Sequence, residues 1–503
     1  MKRLQHLLLL LFTIVGVVAC SYNELPEELS KMATPIETPI VLNVETRAET
    51  YDGEALDQNY FVSEADLENY VRYRRSATKQ PNLTVKEVKS YGFDSSQTLF
   101  YILNYEKGWE VVSADKRVQP TLAYGDKGAF TMDCDNEPMK FWMNMLASGV
   151  LQTRQRTGDS AVATASTASK EESDKADDEE QNVAFWNVIS PTQQPNSRGE
   201  ILIPTPGPLN PGDTSIIVTP PAVVRRYFIP NAIVSDAQIS TIGNPVATRW
   251  GQSSPWNWYC PIKMSDSLSR VPAGCTAVAG AQLLYFLRTV KGWNIDAPLV
   301  AECNAQLPNK EQSFDNFSTQ PWSLMALLNS EDYSRCDNSA KLIAYIGNLC
   351  GMNYGDDGSS ASLWHLQSGL ASGYNISSSI SVYSSSKVVE ELSKNPVVVA
   401  AAQELLYQEG HSWLIDQYRV MHVETTRYYI ETTELLTVDD LWRMTIEDAT
   451  GYIIERSTSK HFHMNWGWSG NHDSYYGLTS DSWEIFQDGT YQQFPHILHD
   501  FTL

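Results

Sequence analysis

The sequence predicts an α+β protein of two globular units separated by a long low-complexity linker, and three observations lead there. First, 503 residues exceed what one hydrophobic core supports, and a 42% hydrophobic, 11% aromatic composition argues for packed units. Second, composition breaks sharply between about residues 152 and 235, where Ala/Ser/Thr, acidic and Pro-rich stretches follow one another. Third, the second unit reads as helices first and strands afterwards, the order of a segregated α+β domain.

In chain order, Met1-Lys2-Arg3 precedes an apolar run from Leu7 to Val18, too short for a comfortable membrane span. The run ends in Val17-Val18-Ala19-Cys20, the pattern of a bacterial lipoprotein signal. Residues 1–19 are therefore expected to be a signal peptide and Cys20 a lipidation site. The sequence thus predicts an exported protein anchored at the outer membrane or cell surface, with the mature form released extracellularly. Residues 20–55 read as a tether. Residues 56–151 form the first unit: Ala65–Val71 has helical spacing, Thr98–Leu103 and Gly108–Ser113 read as strands, and a helix lies near Met139–Leu151. Residues 152–235 read as an exposed linker, because Lys170–Gln181 holds seven carboxylates and two Lys, and six prolines follow between 204 and 221.

Residues 236–503 form the second unit. Its helix from Cys275 to about Thr289 is followed by helical patterning at Ser323–Leu328 and Ala340–Leu349. Strands follow at Pro396–Ala400, Ser412–Ile415, Arg427–Ile430 and His461–Trp466. A net charge of −23 disfavours nucleic acid as a partner, since phosphate binding needs a basic face. The seven Cys are sparse, with no CxxC pair and no zinc-ligand spacing, so a Cys kept for its reactivity is expected.

The chemistry concentrates in three stretches. Pro272-Ala273-Gly274-Cys275 is a turn running into a helix of small residues, Thr276 to Gln282. A thiol at a helix N-terminus sits beside unpaired N–H groups that favour thiolate. Glu409-Gly410-His411-Ser412 places a His after a Gly at the start of a strand, and Gly410 lets backbone pass close to a substrate. His463-Met464-Asn465-Trp466-Gly467-Trp468 supplies an Asn whose amide oxygen would accept a ring N–H of His411, shielded by a Trp. The order Cys, His, Asn is that of papain-like enzymes. The 136 residues from Cys275 to His411 lie within the spacing of that group.

Together these motifs resemble the streptopain family of papain-like cysteine peptidases. Trp109-Glu110-Val111-Val112-Ser113-Ala114-Asp115-Lys116-Arg117 resembles that family's prodomain strand and turn. The resemblance implies a papain-like fold with an N-terminal α+β inhibitory prodomain, made as a zymogen that proteolysis activates. It implies Cys275 as nucleophile, His411 as base and Asn465 as orienting residue. Trp250-Gly251-Gln252 matches a motif that would put Gln252 in an oxyanion hole with the Cys275 N–H. By the same similarity Tyr354, Gly355, Ser360, Ser362 and Trp466 would wall the substrate site. No metal or cofactor is implied. Protein or peptide substrates and the chain's own prodomain are the implied partners.

The sequence departs from the family in two places, and one is Thr276 to Leu284, which differs in detail from the family's usual helix while keeping its small residues and Gln282. In the other, Asn465 follows His411 by 54 positions, so residues 417 to about 455 read as an inserted β-rich excursion. His461 and His463, two apart on a strand, lack a third ligand for a metal, and the Asp356-Asp357 and Asp439-Asp440 pairs read as solvated turns. Two other functions fit the same scaffold: a non-catalytic cell-surface binding protein, or an acyl transferase passing its acyl group to an amine.

Overall fold

The computed structural model describes residues 50–51, 54–55, 58–77, 83–93, 97–155, 170–189, 201–203, 222–295, 322, 325–327, 333–403, 409–478 and 495–503. The expected signal peptide, Cys20 and most of the tether and of segment 190–221 lie outside these. Among the described residues no helix is long and apolar enough to cross a membrane.

The N-terminal unit holds helix α1 (Glu64–Ala77), strands β1 (Val85–Tyr91), β2 (Phe100–Tyr105), β3 (Trp109–Ser113) and β4 (Thr121–Gly125), and helix α2 (Glu137–Gln155). β-Branched and aromatic side chains fill β2 and β3, and every residue of β3 is buried. Charged groups tie down the Ser113–Arg117 turn. Asp115 is fully buried and accepts two bonds from the Arg117 guanidinium at 3.0 and 2.9 Å, while Lys116 reaches Asp66 on α1 at 3.0 Å.

The expected linker is not featureless. Helix α3 (Lys170–Ile189) occupies its acidic stretch, and strand β5 (Ala222–Gly243) begins within it. The acidic run is followed by Val183-Ala184-Phe185-Trp186-Asn187-Val188-Ile189. Phe185, Trp186 and Ile189 are buried in one cluster with Val62, Leu67, Tyr70 and Tyr73. Those few apolar residues give the charged helix a core to dock on, which composition averaged over the segment conceals.

The C-terminal unit carries α4 (Cys275–Thr289), α5 (Tyr333–Leu349), α6 (Leu363–Tyr374), β6 (Ser377–Val382), α7 (Ser385–Leu392), β7 (Val397–Gln403), β8 (Glu409–Thr432), β9 (Gly451–Asn465), β10 (Ser474–Gly477) and β11 (His496–Thr502). The expected helix at Ser323–Leu328 is absent at its described residues, Met325–Leu327, which are not helical. Met325 and Ala326 are buried there, and the Ala326 carbonyl accepts the Trp250 indole N–H at 2.7 Å.

Both units share one twelve-stranded sheet among the described residues, with main order β6-β11-β7-β8-β9-β10-β4-β3-β2-β1; β5 and the short strand Ile201–Ile203 join off this path. The seam is β10 against β4, pairing Tyr475 with Tyr124 and Tyr476 with Ala123. Side chains alternate across the sheet, so it presents two different faces. Val398, Ala400, Leu414 and Leu498 meet the α4 helix on one face. Val397, Val399, Trp413, Ile415 and Ile497 meet Met139, Trp142, Met143 and Leu146 of α2 on the other.

The excursion after His411 is β-rich, as the sequence reading expects. β8 continues far past the active-site end, β9 pairs along one edge, and β5 takes over the other edge from β7 at Gln417. This three-stranded arm meets α1 and α3, with Val423 in their cluster and Met421 and Ala237 packed beside it.

Candidate active site

Cys275 opens α4 where the sequence places it. Gly274 caps the helix at φ 88°, and a Cβ there would lie 2.7 Å from the Met352 sulfur and 3.1 Å from the Ser359 carbonyl. Only glycine suits that conformation, so the turn fixes Cys275 at the helix end. Twelve of the fifteen residues of α4 are buried. Small side chains permit this: a Cβ on Gly280 would stand 2.6 Å from Leu366 on α6.

Across the cleft, β8 brings its first residues to the same point. The Ser412 backbone N–H lies 3.3 Å from Cys275 Sγ, and the Ser412 hydroxyl is 3.1 Å from that of Thr276. His411 is the residue before Ser412 on β8, opposite Ala401 on β7. The sulfur itself is not a thiolate here. It is disulfide-bonded. Cys134, Cys260, Cys336 and Cys350 are not disulfide-bonded.

His411 is half-buried, with its Nε2 shut off from solvent. Burial pushes it down to about 3, outweighing the opposite pull of the Trp466 backbone carbonyl, with which the ring forms a hydrogen bond. The imidazole is therefore neutral in this form, so no thiolate–imidazolium pair stands ready.

Asn465 does not make the expected bond to His411. Its amide oxygen accepts from Gln282 Nε2 at 3.0 Å and from the Gly467 N–H at 3.3 Å, and its amide nitrogen donates to the Thr248 carbonyl at 2.8 Å. These bonds tie the end of β9 to α4. The Trp466 carbonyl takes the place at the ring. Trp466 itself is fully buried, its ring 5.4 Å from that of Trp413 and 5.2 Å from that of Tyr476. Gly467, at φ 67°, reverses the chain, so that Trp468 rather than Trp466 lies against His411, ring centroids 5.4 Å apart. The second Trp of the Asn-Trp-Gly-Trp run is thus a site residue the sequence reading passed over.

Gln252 is buried, and its carbonyl accepts the Ala273 N–H at 2.9 Å, tying it to the turn before Cys275. Among the described residues its side-chain amide makes no hydrogen bond. Gly410 lies opposite Ala402 in the sheet. The Tyr354 hydroxyl hydrogen-bonds the Cys260 thiol in the core, and burial raises both groups, Cys260 to about 12. Ser362 caps α6, accepting the His365 N–H at 3.2 Å. Ser360 is buried opposite Asn353, and Gly355 turns against Gly358. The neighbouring Ala361 carbonyl accepts the Thr276 hydroxyl at 2.8 Å, so this loop braces the start of α4.

His461 and His463 face separate partners. His461 is 2.9 Å from the Thr121 carbonyl of β4, and His463 pairs with Asp416 at 2.6 Å. Asp356 accepts the N–H groups of Met264 and Ser265, and Asp440 completes a capping box with Thr437.

The N-terminal unit grips the segment that holds His411's carbonyl partner. Asn136 donates to the Asn471 carbonyl at 3.2 Å, Ser474 donates to the Tyr124 carbonyl at 2.8 Å, and the Trp142 indole donates to the Gly477 carbonyl at 3.1 Å. Phe130 meets the His472 ring edge-on.

Residues 250–476 match the Peptidase C10 family, and residues 63–150 match the Spi protease inhibitor family. A fragment of Prevotella intermedia prointerpain A, with one cysteine replaced by alanine, aligns at TM-score 0.43 and 16% identity over 83% of this chain and 98% of its own. Active wild-type Prevotella intermedia interpain A cysteine protease aligns at TM-score 0.33 and 20% identity, over 51% and 94%. No curated protein matches the chain. Residues 250–476 are thus a cysteine-peptidase region of the C10, or streptopain, family, and residues 63–150 a Spi-type inhibitor region, the arrangement of a protease made as a zymogen.

Proposed function

We propose that the chain hydrolyses peptide bonds of protein substrates through an acyl-enzyme on Cys275, with His411 as general base and then general acid. The observation that carries this reading is the meeting of the α4 N-terminus with β8: Cys275 Sγ lies 3.3 Å from the Ser412 N–H, next to His411. Exchange of the Cys275 disulfide with an external dithiol, which is itself oxidised to a disulfide, releases the partner sulfur as a thiol and returns the Cys275 thiol. Its proton passes to His411, the thiolate attacks the substrate carbonyl, and the oxyanion forms beside the Cys275 N–H and the Gln252 amide. His411 then protonates the leaving amine and activates water for deacylation. Asn465 contributes by anchoring the Trp466–Gly467 turn to α4, and Trp468 covers the imidazole.

In the precursor the inhibitor domain holds the Trp466–Tyr476 segment from the sheet face opposite α4, while His411 is kept neutral and Cys275 oxidised. Activation therefore has two parts, removal of the N-terminal unit and reduction of the sulfur. Export through residues 1–19, with lipidation at Cys20, completes the proposal. Cys275→Ala, produced alongside wild type and treated with reductant, should lose protein hydrolysis while keeping its thermal denaturation midpoint. Hydrolysis surviving that change removes the nucleophile assignment.

A further inference from the structure

The Trp466–Tyr476 segment contains a group that the proposed reaction does not use. Asp473 accepts the Trp466 backbone N–H at 2.9 Å, and the carbonyl of that same residue bonds the His411 ring. The rest of the segment leaves the Trp466 backbone little freedom. Its indole donates to the His472 carbonyl at 3.1 Å, the Tyr476 hydroxyl donates to the same carbonyl at 2.7 Å, and Gly467 is reversed at φ 67°.

We propose that Asp473 is a positioning residue: its carboxylate fixes the Trp466 backbone, whose carbonyl sets the orientation of the His411 imidazole. This rests on the reading of Cys275 and His411 as nucleophile and base. Asp473 does not touch substrate and acts only through Trp466. Ring placement matters because a misplacement of about 1 Å at a reacting group lowers a rate by as much as about a hundredfold.

The charges around Asp473 suit the role. His463 on β9 and Asp416 on β8 face it as an ion pair, Arg249 approaches from the loop before Trp250, and Tyr476 lies on its own segment. Burial pushes the carboxyl up to about 7, against the pull of the Trp466 N–H and of His463. An oxygen remains to accept the Trp466 N–H in either protonation state, so position persists while charge changes near neutrality.

The test compares Asp473→Asn, which keeps an acceptor, with Asp473→Val, which removes it. Both are made in the full chain, then reduced and proteolytically activated. The Asn variant should keep kcat within about threefold at every pH tested. The Val variant should lose about 10–100-fold in kcat with KM within about twofold. Its Cys275 alkylation profile should also move to higher pH, which a purely structural defect does not produce. Should the Val variant not fold, Asp473→Ala takes its place in the comparison. Unchanged kcat in the Val or Ala variant overturns the proposal, as does an Asn variant equally impaired. Cys275→Ala runs in parallel. Activity surviving there removes the underlying reading, whereas an inactive Cys275→Ala beside a fully active Asp473→Val removes only the role given to Asp473.

Discussion

Trp142 is the centre of the inhibitor domain's hold on the enzyme, and Trp142→Ala measures that hold. The side chain is 1% exposed, stands edge-on to Trp413 at 6.2 Å and to Tyr383 at 6.0 Å, and donates to the Gly477 carbonyl at 3.1 Å. All three partners belong to the C-terminal unit, so the loss falls on docking as well as on folding. Truncating a buried Trp to Ala costs about 3–5 kcal/mol. At about 1.4 kcal/mol per factor of ten, the undocked fraction of the uncut precursor rises between about a hundredfold and a few thousandfold. The assay is hydrolysis of a fluorogenic peptide by reduced, uncleaved precursor, with gel analysis to show that it stays uncut. Hydrogen exchange over Trp466–Tyr476 is read in parallel. Wild type should be nearly silent, and Trp142→Ala should leak activity and exchange faster in that segment. A variant equally silent, with unchanged exchange there, refutes the idea that α2 restrains the site from behind the sheet.

Three further outcomes follow from single residues. Gly274→Ala forces a side chain into φ 88° and against Met352 and the Ser359 carbonyl, at about 1–3 kcal/mol of strain; hydrolysis should fall sharply while the denaturation midpoint moves only a few degrees. Glu110→Ala strands the buried Arg74 guanidinium that it pairs with, and denaturant titration should show a loss of about 3–5 kcal/mol in the precursor. His461 is buried at the seam between the units and pushed down to about 4 by burial. A depressed His stabilises the folded state fully above the ordinary value of about 6.5, and that stability is lost as pH falls toward 4. The precursor's denaturation midpoint should therefore drop across that window, and less steeply in His461→Gln.

The Cys275 turn is legible in the sequence because glycine, proline and small helix residues leave few alternatives there. His411 is legible because it follows a glycine at the start of a strand whose next residue, Ser412, reaches the Cys275 sulfur. The partner of His411 is not legible in the same way. Asn465 and Trp466 are adjacent in the text, and which of them reaches the ring is decided from α4. Gln282 is buried there and donates to both the Thr248 carbonyl and Asn465 Oδ1, a claim on Asn465 that no local motif announces.

The placing of Tyr354 and Trp466 is not legible for a related reason. Large aromatic residues suit a cleft wall and a core equally well, and only packing against Gly347 and Cys260, or against Trp413 and Tyr476, decides between them. Helix α3 escapes because its charge dominates any average, although three buried residues at its end suffice to dock it. The arm built on β5, β8 and β9 is legible as strands but not in its length, since its pairing spans residues distant in sequence.

The central claim is that Cys275 becomes an acidic, His411-paired nucleophile once reduced and freed of the inhibitor domain. Site-resolved alkylation at pH 5 tests it most directly, by peptide mass mapping of the reduced, activated protein after brief exposure to iodoacetamide. An ordinary thiol of pKa about 8.5 is only about 0.03% thiolate at that pH. The account predicts rapid labelling of Cys275 with parallel loss of hydrolysis, little labelling of Cys134, which is not disulfide-bonded, and slow labelling of Cys275 in His411→Ala. Cys275 labelled no faster than Cys134, or hydrolysis persisting after its complete modification, contradicts it.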